Sequence, residues 1–233
     1  MFRNREDAAL QLAESLKGRQ FQRPLILAIP RGGVVIGAVL AQELGAELDV
    51  VLSRKLGAPE QPELAIGAIC EDGKVYFNHY AEELLDLSDD YVMEESRHQL
   101  AEIERRKKLF REDRPPASIT GRSVIVTDDG IATGSTMIAG LQTIKAQSPL
   151  EIVVAVPVNS PERIPEIRHW CDDLVYLEAP EGFWAIGQFY EDFSQIQDEE
   201  VVALLRQSAT SIIDRGENGQ HGSFRGNSRP AHV

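Results

Sequence analysis

The sequence predicts an α/β protein with a mostly parallel sheet flanked by helices. Five short β-favouring runs recur along the chain, at residues 25–29, 48–52, 124–127, 152–156 and 174–177. These runs are largely continuous in apolar residues rather than alternating, as expected for strands buried on both faces of a sheet. Helix-like segments separate most of them, and strands that alternate with helices indicate parallel pairing. Ligands are therefore expected outside the carboxyl ends of these strands.

Cap and breaker residues delimit the predicted helices. Asn4 is an expected N-cap for the first helix, and Gly18 and Gly45 are expected to end the first two helices. Pro115 and Pro116 stop a long charged helix that begins near Ser88. The predicted helices cover residues 5–17, 34–44, 88–111, 137–147 and 198–207.

A β-hairpin is predicted between the second strand and the long helix. Residues 65–70 and 74–78 flank the turn Glu71-Asp72-Gly73, and residues 58–63 read as a mobile loop. We therefore expect a flexible loop at about residues 56–78.

Three parts follow from these boundaries. Residues 1–178 form the predicted core, and residues 179–213 form a small C-terminal hood with a terminal helix. Five aromatic residues fall within residues 183–193, and at least half of them are expected to be core packing. Residues 214–233 are poor in hydrophobic residues and rich in Gly and Asn, which predicts a disordered tail.

Composition limits the possible partners. A net charge of −13 over 233 residues argues against a surface for nucleic acid or anionic membrane. Cys70 and Cys171 lie far apart in the sequence, as ordinary reduced cysteines do. With no run of 18 apolar residues, the sequence predicts a soluble, cytoplasmic protein without a membrane partner.

The most informative segment follows the third run and reads VIVTDDGIATGST, from Val124 to Thr136. Asp128 and Asp129 suit a vicinal diol, whose two hydroxyls each need an acceptor. The small loop after them can point backbone N–H groups at an anion, helped by the positive end of the next helix. The residues expected to bind phosphate are Gly130, Ile131, Ala132, Thr133, Gly134, Ser135 and Thr136. A simple strand-to-helix turn is the alternative, although it needs only one or two of these residues.

Two further loops follow predicted strands and carry cations. Arg31, Gly32 and Gly33 come after the first strand, where two glycines permit close approach to an anion. Arg54 and Lys55 come after the second strand and can neutralise an anionic group of a ligand. A tight turn and a solvated ion pair are the respective alternatives. A dinucleotide fingerprint fails because Val34 stands where its middle glycine is required.

The Asp128–Thr136 pattern resembles the motif with which type I phosphoribosyltransferases hold phosphoribosyl pyrophosphate. More narrowly, residues 2 to about 205 resemble a bacterial group of predicted phosphoribosyltransferases that are sometimes fused to α/β-hydrolase domains. Four stretches carry this resemblance, namely residues 29–33, 54–59, 63–68 and 122–137.

The resemblance implies transfer of a phosphoribosyl group to a nitrogen nucleophile, with loss of pyrophosphate and help from Mg²⁺. It implies catalytic roles for Asp128, Asp129 and Lys55, and substrate contacts from Arg31, Arg54, both nearby glycines and the phosphate loop. Mg²⁺ is expected mainly on pyrophosphate and water rather than in a protein cage. Trp184 in the hood is the expected contact for a nucleobase-like acceptor. We also expect a homodimer with a role in nucleotide metabolism.

A second class of function stays open at this point. A module that senses phosphoribosyl pyrophosphate without turning it over needs the same ligand motif. Lys55 and the long closing loop favour an enzyme over such a sensor.

Overall fold

The computed structural model describes residues 1–59, 61–77, 89–111 and 115–220. Side chains are described in these ranges except at residues 61–65, 89 and 210–220. Among the residues described, no helix combines the length and apolar character needed to cross a membrane.

A five-stranded parallel sheet forms the centre of the protein, which confirms the predicted fold class. Its strands are β1 (Leu25–Ala28), β2 (Glu47–Val50), β6 (Ser123–Thr127), β7 (Glu151–Val158) and β8 (Asp173–Glu178). Their order across the sheet is β2-β1-β6-β7-β8. All five lie at the positions of the predicted runs, because continuous apolar strands need cover on both faces.

Helices cover the two faces of this sheet, except that the long helix Asp89–Arg111 packs on residues 53–70. They are α1 (Arg5–Leu16), α2 (Gly32–Leu44), α3 (Asp89–Arg111), α4 (Ser135–Lys145), α5 (Ile164–Trp170) and α6 (Asp198–Gln220). Successive strand residues point to opposite faces. Ile26 therefore packs in one core cluster with α1 and α2, while Leu25 and Leu27 pack in the other with α4 and α5. Helix α5 was not predicted, because its seven residues are too short for a periodic pattern.

The predicted hairpin is part of a second, antiparallel sheet. Its three strands are β3 (Ser53–Ala58), β4 (Gln61–Cys70) and β5 (Val75–Phe77), in that order. The interpretation of residues 58–63 as a loop was wrong at Ala58 and at residues 61–63, which lie in β3 and β4. Arg54 and Lys55, predicted in a loop after the second strand, also lie in β3 and pair with β4. Residues 60 and 78 of the expected flexible region at 56–78 lie outside the described residues, and its mobility stays a prediction.

The C-terminal helix is longer than expected. It extends to Gln220, so the prediction that disorder begins at residue 214 was wrong for residues 214–220. A helix anchored by buried Val201 and Leu205 gains one hydrogen bond for each residue added, which favours propagation beyond the packed turns. Residues 221–233 lie outside the described residues.

Both cysteines are free thiols. Burial raises the pKa of Cys70 to about 12 and that of Cys171 to about 11, so neither is a thiolate near neutral pH.

Candidate active site

The candidate residues meet at one edge of the parallel sheet. Strands β1 and β6 are neighbours, and their connections run in opposite directions, through α2 to β2 and through α4 to β7. Loops that leave such a pair diverge and leave a crevice between them. Gly32 and Gly33, predicted in a loop, form the first turn of α2, which begins two residues earlier than expected. This helix start and the acidic pair Asp128–Asp129 both open into the switch point.

Glycines bring the start of α2 into direct contact with the acidic segment Asp128–Asp129. A Cβ atom at Gly32 would overlap Oδ2 of Asp129, and one at Gly33 would lie 2.9 Å from the Cα of Asp128. Real Cβ atoms do not approach so closely, so neither position has room for a side chain without movement of the acidic loop. The peptide bond between Pro30 and Arg31 is cis. The two glycines therefore place backbone where a side chain would block the acidic pair.

The two carboxyl groups have different surroundings. Asp129 is buried and its Oδ2 accepts a hydrogen bond from Nε of Arg5 at 2.8 Å. Asp128 keeps some accessibility, and its Oδ1 accepts from the backbone N–H of Asp129 at 2.8 Å. Of these two carboxyl groups, only Asp129 therefore forms an ion pair with a cationic side chain among the described residues.

Burial raises the pKa of both carboxyl groups. For Asp128, the neighbouring negative charge of Asp129 adds to burial and holds the pKa well above its usual range. For Asp129, the charge and hydrogen bond of Arg5 oppose the effect of burial. Of the two, Asp128 is therefore the more basic carboxyl group, and negative charge is more stable on Asp129 beside Arg5.

The hood closes the buried side of the acidic pair. Tyr190 donates its hydroxyl to the backbone oxygen of Asp129 at 2.7 Å, and its ring stacks on Phe193 with centroids 5.0 Å apart. Burial raises the pKa of Tyr190, and the charge of Asp129 raises it further, so the phenol remains a donor. As expected for core packing, Phe189 and Tyr190 are buried, and Phe183 and Phe193 pack against the same cluster.

The loop from Gly130 to Gly134 leads into helix α4, which has no side-chain cap at its start. Gly134 adopts a left-handed conformation with φ of 76° at the N-cap of α4 and makes no side-chain cap. The first N–H groups of a helix lack partners within the helix. In α4 these groups include the backbone N–H groups of Ser135 and Thr136. Thr133, just before the helix, is exposed. This arrangement matches what an anion-binding helix start requires.

The backbone of Ile131 is hydrogen-bonded within the fold. Its N–H donates to the carbonyl of Val158 and its carbonyl accepts from the N–H of Ser160, at 2.9 and 2.8 Å, and its side chain is buried in the core. Its N–H is therefore less available to a phosphate than a free donor would be. Ile131, Gly130 and Ala132 stay predicted contacts.

The three predicted cations have different surroundings. An Nη atom of Arg31 lies 3.9 Å from Oδ1 of Asp198, which is too long for a hydrogen bond. Arg54 donates from Nε to Oε1 of Gln99 on α3 at 2.8 Å. Lys55 is exposed on β3. Arg31 is thus held loosely, whereas Arg54 is tied to the long helix.

Trp184 projects from the hood with 90% of its surface exposed. It therefore contributes little to the core, in contrast to the other hood aromatics. Among the described residues, no three His, Cys, Asp or Glu side chains form a cluster able to hold a metal ion.

Sequence reasoning missed Arg5 and the hydroxyl of Tyr190. Arg5 precedes Asp129 by 124 residues and lies in an ordinary helix start. Its only sequence signal was a charged residue on the face of α1 that carries Ala8 and Leu12.

Known proteins resemble this chain over most of its length. The family described as phosphoribosyl transferase domain matches residues 2–194. Two curated proteins of Mycobacterium tuberculosis, from strains CDC 1551 / Oshkosh and ATCC 25618 / H37Rv, both carry the name "Putative phosphoribosyl transferase". Each is 38% identical over 216 residues, which are 93% of this chain and 49% of the relative. This chain therefore spans about half the length of those relatives.

A solved structure shares both sequence and fold. The crystal structure of TT1426 from Thermus thermophilus is 41% identical, with a TM-score of 0.77. The alignment covers 88% of this chain and 98% of that one. The resemblance found from the motifs is confirmed, and this chain belongs to the phosphoribosyl transferase domain family.

Proposed function

We propose that this protein transfers the phosphoribosyl group of phosphoribosyl pyrophosphate to a nitrogen nucleophile and releases pyrophosphate. One observation carries the proposal. The acidic pair, the glycine pair and the uncapped start of α4 lie at one switch point, with Gly33 in contact with Asp128. A diol site beside two anion sites matches a ribose that carries phosphate at one end and pyrophosphate at the other.

The chemistry balances with the groups at this edge. The nitrogen of the acceptor forms a bond to C1′ while the C1′–O bond to pyrophosphate breaks, and pyrophosphate leaves with the electron pair. Positive charge that develops on the sugar is stabilised by the carboxylate of Asp129. Asp128, whose pKa is raised by burial and by Asp129, is the proposed acceptor for the proton of the attacking nitrogen.

Mg²⁺ fits the donor chemistry of this site. Mg²⁺ usually keeps waters and substrate phosphates as its ligands, so the pyrophosphate of the proposed substrate would hold it without a cage of protein side chains. When bound, it neutralises charge on the departing pyrophosphate. We propose that Arg31 and Lys55 supply the remaining positive charge on that side.

We propose a flat, nucleobase-like acceptor bound under the hood, with Trp184 as its exposed stacking surface. We further propose a cytoplasmic homodimer active in nucleotide metabolism. Sedimentation at several protein concentrations tests the dimer, and a mass equal to one chain throughout the range would rule it out.

The function is tested by pyrophosphate release with Mg²⁺ and a panel of bases and amines. Charge builds on pyrophosphate as the C1′ bond breaks, so the cations act more strongly in the transition state than on binding. Lys55→Ala should therefore lower kcat by at least about tenfold and change ligand affinity less. Lys17→Ala is the matched control, because Lys17 is an exposed lysine at the end of α1 paired with Glu14.

The same experiment separates an enzyme from a sensor. If no acceptor gives pyrophosphate release and Lys55→Ala only weakens binding, the protein is a sensor of phosphoribosyl pyrophosphate. If the wild type binds no phosphoribosyl pyrophosphate, the proposal fails altogether.

A further inference from the structure

Arg5 is a buried cation that belongs to none of the ligand-binding loops described above. It opens helix α1 and has 7% of its surface exposed. Its Nε donates to Oδ2 of Asp129 at 2.8 Å, and an Nη donates to the backbone oxygen of Ser194 at 2.9 Å. Its guanidinium carbon lies 3.9 Å from the centre of the Phe193 ring. The guanidinium is therefore held by an ion pair, a backbone oxygen and an aromatic face at once.

These contacts join three separate parts of the protein at one point. Arg5 lies on the N-terminal helix, Asp129 follows the central strand β6, and Phe193 and Ser194 belong to the hood segment. The start of α2 completes the junction, since a Cβ atom at Gly32 would also lie only 2.9 Å from Nε of Arg5. The guanidinium thus lies behind the two loops that form the proposed site.

The planar guanidinium determines the orientation of the carboxylate. Its donors point in directions set by the plane of the group, so Ser194 and Phe193 hold that plane and the Nε donor then locates Oδ2 of Asp129. A lysine offers a point charge without this fixed direction. Charge neutralisation and positioning are therefore separable contributions of Arg5.

We propose that Arg5 is a positioning residue that holds the carboxylate of Asp129 for the ribose and couples this position to docking of the hood. The proposal rests on the proposed function for the identity of the sugar. With Oδ2 occupied by Arg5, a sugar hydroxyl is bound through Oδ1. An acceptor that shifts the hood would then alter Asp129 through Ser194 and Phe193.

The N-terminal residues reinforce this coupling. The N–H of Phe2 donates to the oxygen of Phe189, and the N–H of Glu191 donates to the oxygen of Phe2, both at 2.8 Å. The hood is thereby held to the residues immediately before Arg5. A displacement of the hood is thereby transmitted to the N-terminal residues through these hydrogen bonds.

A first test needs no ligand. Four ionisable groups meet around Asp129: Arg5 from α1, Asp128 from the same loop, Tyr190 from the hood and, beyond Tyr190, Glu178 from β8. In Arg5→Gln, the carboxyl ¹³C signal of Asp129 should titrate about one pH unit or more higher, because the cation is gone. Amide hydrogen exchange across residues 189–194 should become at least about tenfold faster, because two anchors of the hood are lost.

Arg5→Lys separates charge from position. It should keep the titration of Asp129 close to that of the wild type while exchange in the hood still accelerates. Arg122→Gln is the matched control, because the Arg122 side chain is largely buried and paired with Glu47 just before β6, at the end of that strand away from Asp129. It should leave both readouts unchanged.

A second test uses turnover of phosphoribosyl pyrophosphate with an active acceptor. Arg5→Gln should lower kcat about a hundredfold, and Arg5→Lys about tenfold. In an Asp129→Asn background, Arg5→Gln should cause no further loss, because its effect passes through that carboxylate. Independent, additive losses would overturn the positioning role.

The outcomes separate the two proposals. If Arg5→Gln leaves both the titration of Asp129 and the exchange of the hood as in the wild type, the inference about Arg5 is overturned. If both change but the wild type binds no phosphoribosyl pyrophosphate, Arg5 positions Asp129 as inferred and the proposed function is what fails.

Discussion

Two buried arginines, Arg5 and Arg111, show how similar ion pairs serve different purposes in this protein. Both lie at an end of a helix, both are less than a tenth exposed, and both donate from Nε to an aspartate. Arg111 also bonds Glu71 and donates to the backbone oxygen of Val50 at 2.7 Å. The difference between the two lies in their carboxylate partners.

Asp49, the partner of Arg111, is fully supplied with donors. Its Oδ1 accepts from Arg111 at 3.1 Å and from the N–H of Val50 at 2.8 Å, and its Oδ2 accepts from the N–H of Ala117 at 2.8 Å. A buried carboxylate with this many donors has little capacity left for a ligand. The Arg111 cluster therefore joins β2, the hairpin and the end of α3 as a structural clamp.

Asp129, the partner of Arg5, is left in electrostatic conflict. It adjoins Asp128, and burial with mutual repulsion raises the pKa of Asp128 well above its usual range. Such a conflict costs stability and is found where a site needs the carboxyl group for chemistry. We conclude that satisfied buried charges indicate structure in this fold, and conflicting ones indicate function.

The largest expected effect is the loss of the structural clamp. Arg111→Gln leaves Asp49 and Glu71 without their cation and should lower the free energy of unfolding by about 3–5 kcal/mol. Denaturant titration measures this loss, and affinity for phosphoribosyl pyrophosphate should not change at a temperature where the variant is folded. A loss of affinity in the folded variant would mean that the two clusters are not separate.

Substitution of the acidic pair should instead reduce the affinity for the ligand. Asp128→Asn/Asp129→Asn removes two charged acceptors for the ribose hydroxyls and should weaken phosphoribosyl pyrophosphate binding at least about a hundredfold. Calorimetry with Mg²⁺ measures this, with Asp49→Asn as the control that keeps its affinity. Unchanged binding in a folded double variant would contradict the assignment of the diol site.

The glycine behind Arg5 offers a steric test. Gly32→Ala places a methyl group on Oδ2 of Asp129 and should cost about 1–3 kcal/mol of stability together with most of the turnover. Gly140→Ala on α4 is the control, since its added methyl meets Val51 at an ordinary 3.4 Å. Equal behaviour of the two alanine variants in stability and turnover would show that the contact at Gly32 is not tight.

The smallest expected effect depends on pH. The pKa of Asp128 is raised in the folded state, so the wild type loses stability as the pH rises from the ordinary carboxyl range towards that raised value. Asp128→Asn removes this loss and should raise the melting temperature at pH 7 by about 3 °C, equivalent to roughly 1 kcal/mol. The gain should vanish below about pH 3.5, where Asp128 becomes protonated in both states. A lower melting temperature at pH 7 would show that Asp128 is satisfied as Asp49 is.

Local patterns predicted most of the fold. Apolar runs located all five strands of the parallel sheet, and Asn4 caps α1 as expected, accepting from the N–H of Asp7 at 2.9 Å. These features depend on short stretches of sequence, so a single chain shows them. Strand β3 of the small sheet was missed because its first residues, Ser53, Arg54 and Lys55, are polar. Only their pairing with β4 shows that they form a strand.

The motif loops were predicted from the sequence because each loop carries its own chemistry. The segment from Asp128 to Thr136 combines acceptors, small residues and a helix start within nine neighbouring positions. It identified the family, which the match over residues 2–194 confirms. The roles of the individual residues stay predictions.

Tertiary structure alone decided which residues support the site. The sheet order brings β1 beside β6, and this places Gly32 against Asp129 across almost a hundred residues of sequence. The same fold brings Arg5 to Asp129, and it pairs the N–H of Ile131 with the carbonyl of Val158. Short stretches of sequence determine which chemical groups the loops carry. The orientation and charge of these groups depend on contacts between distant segments, which form only when the chain packs.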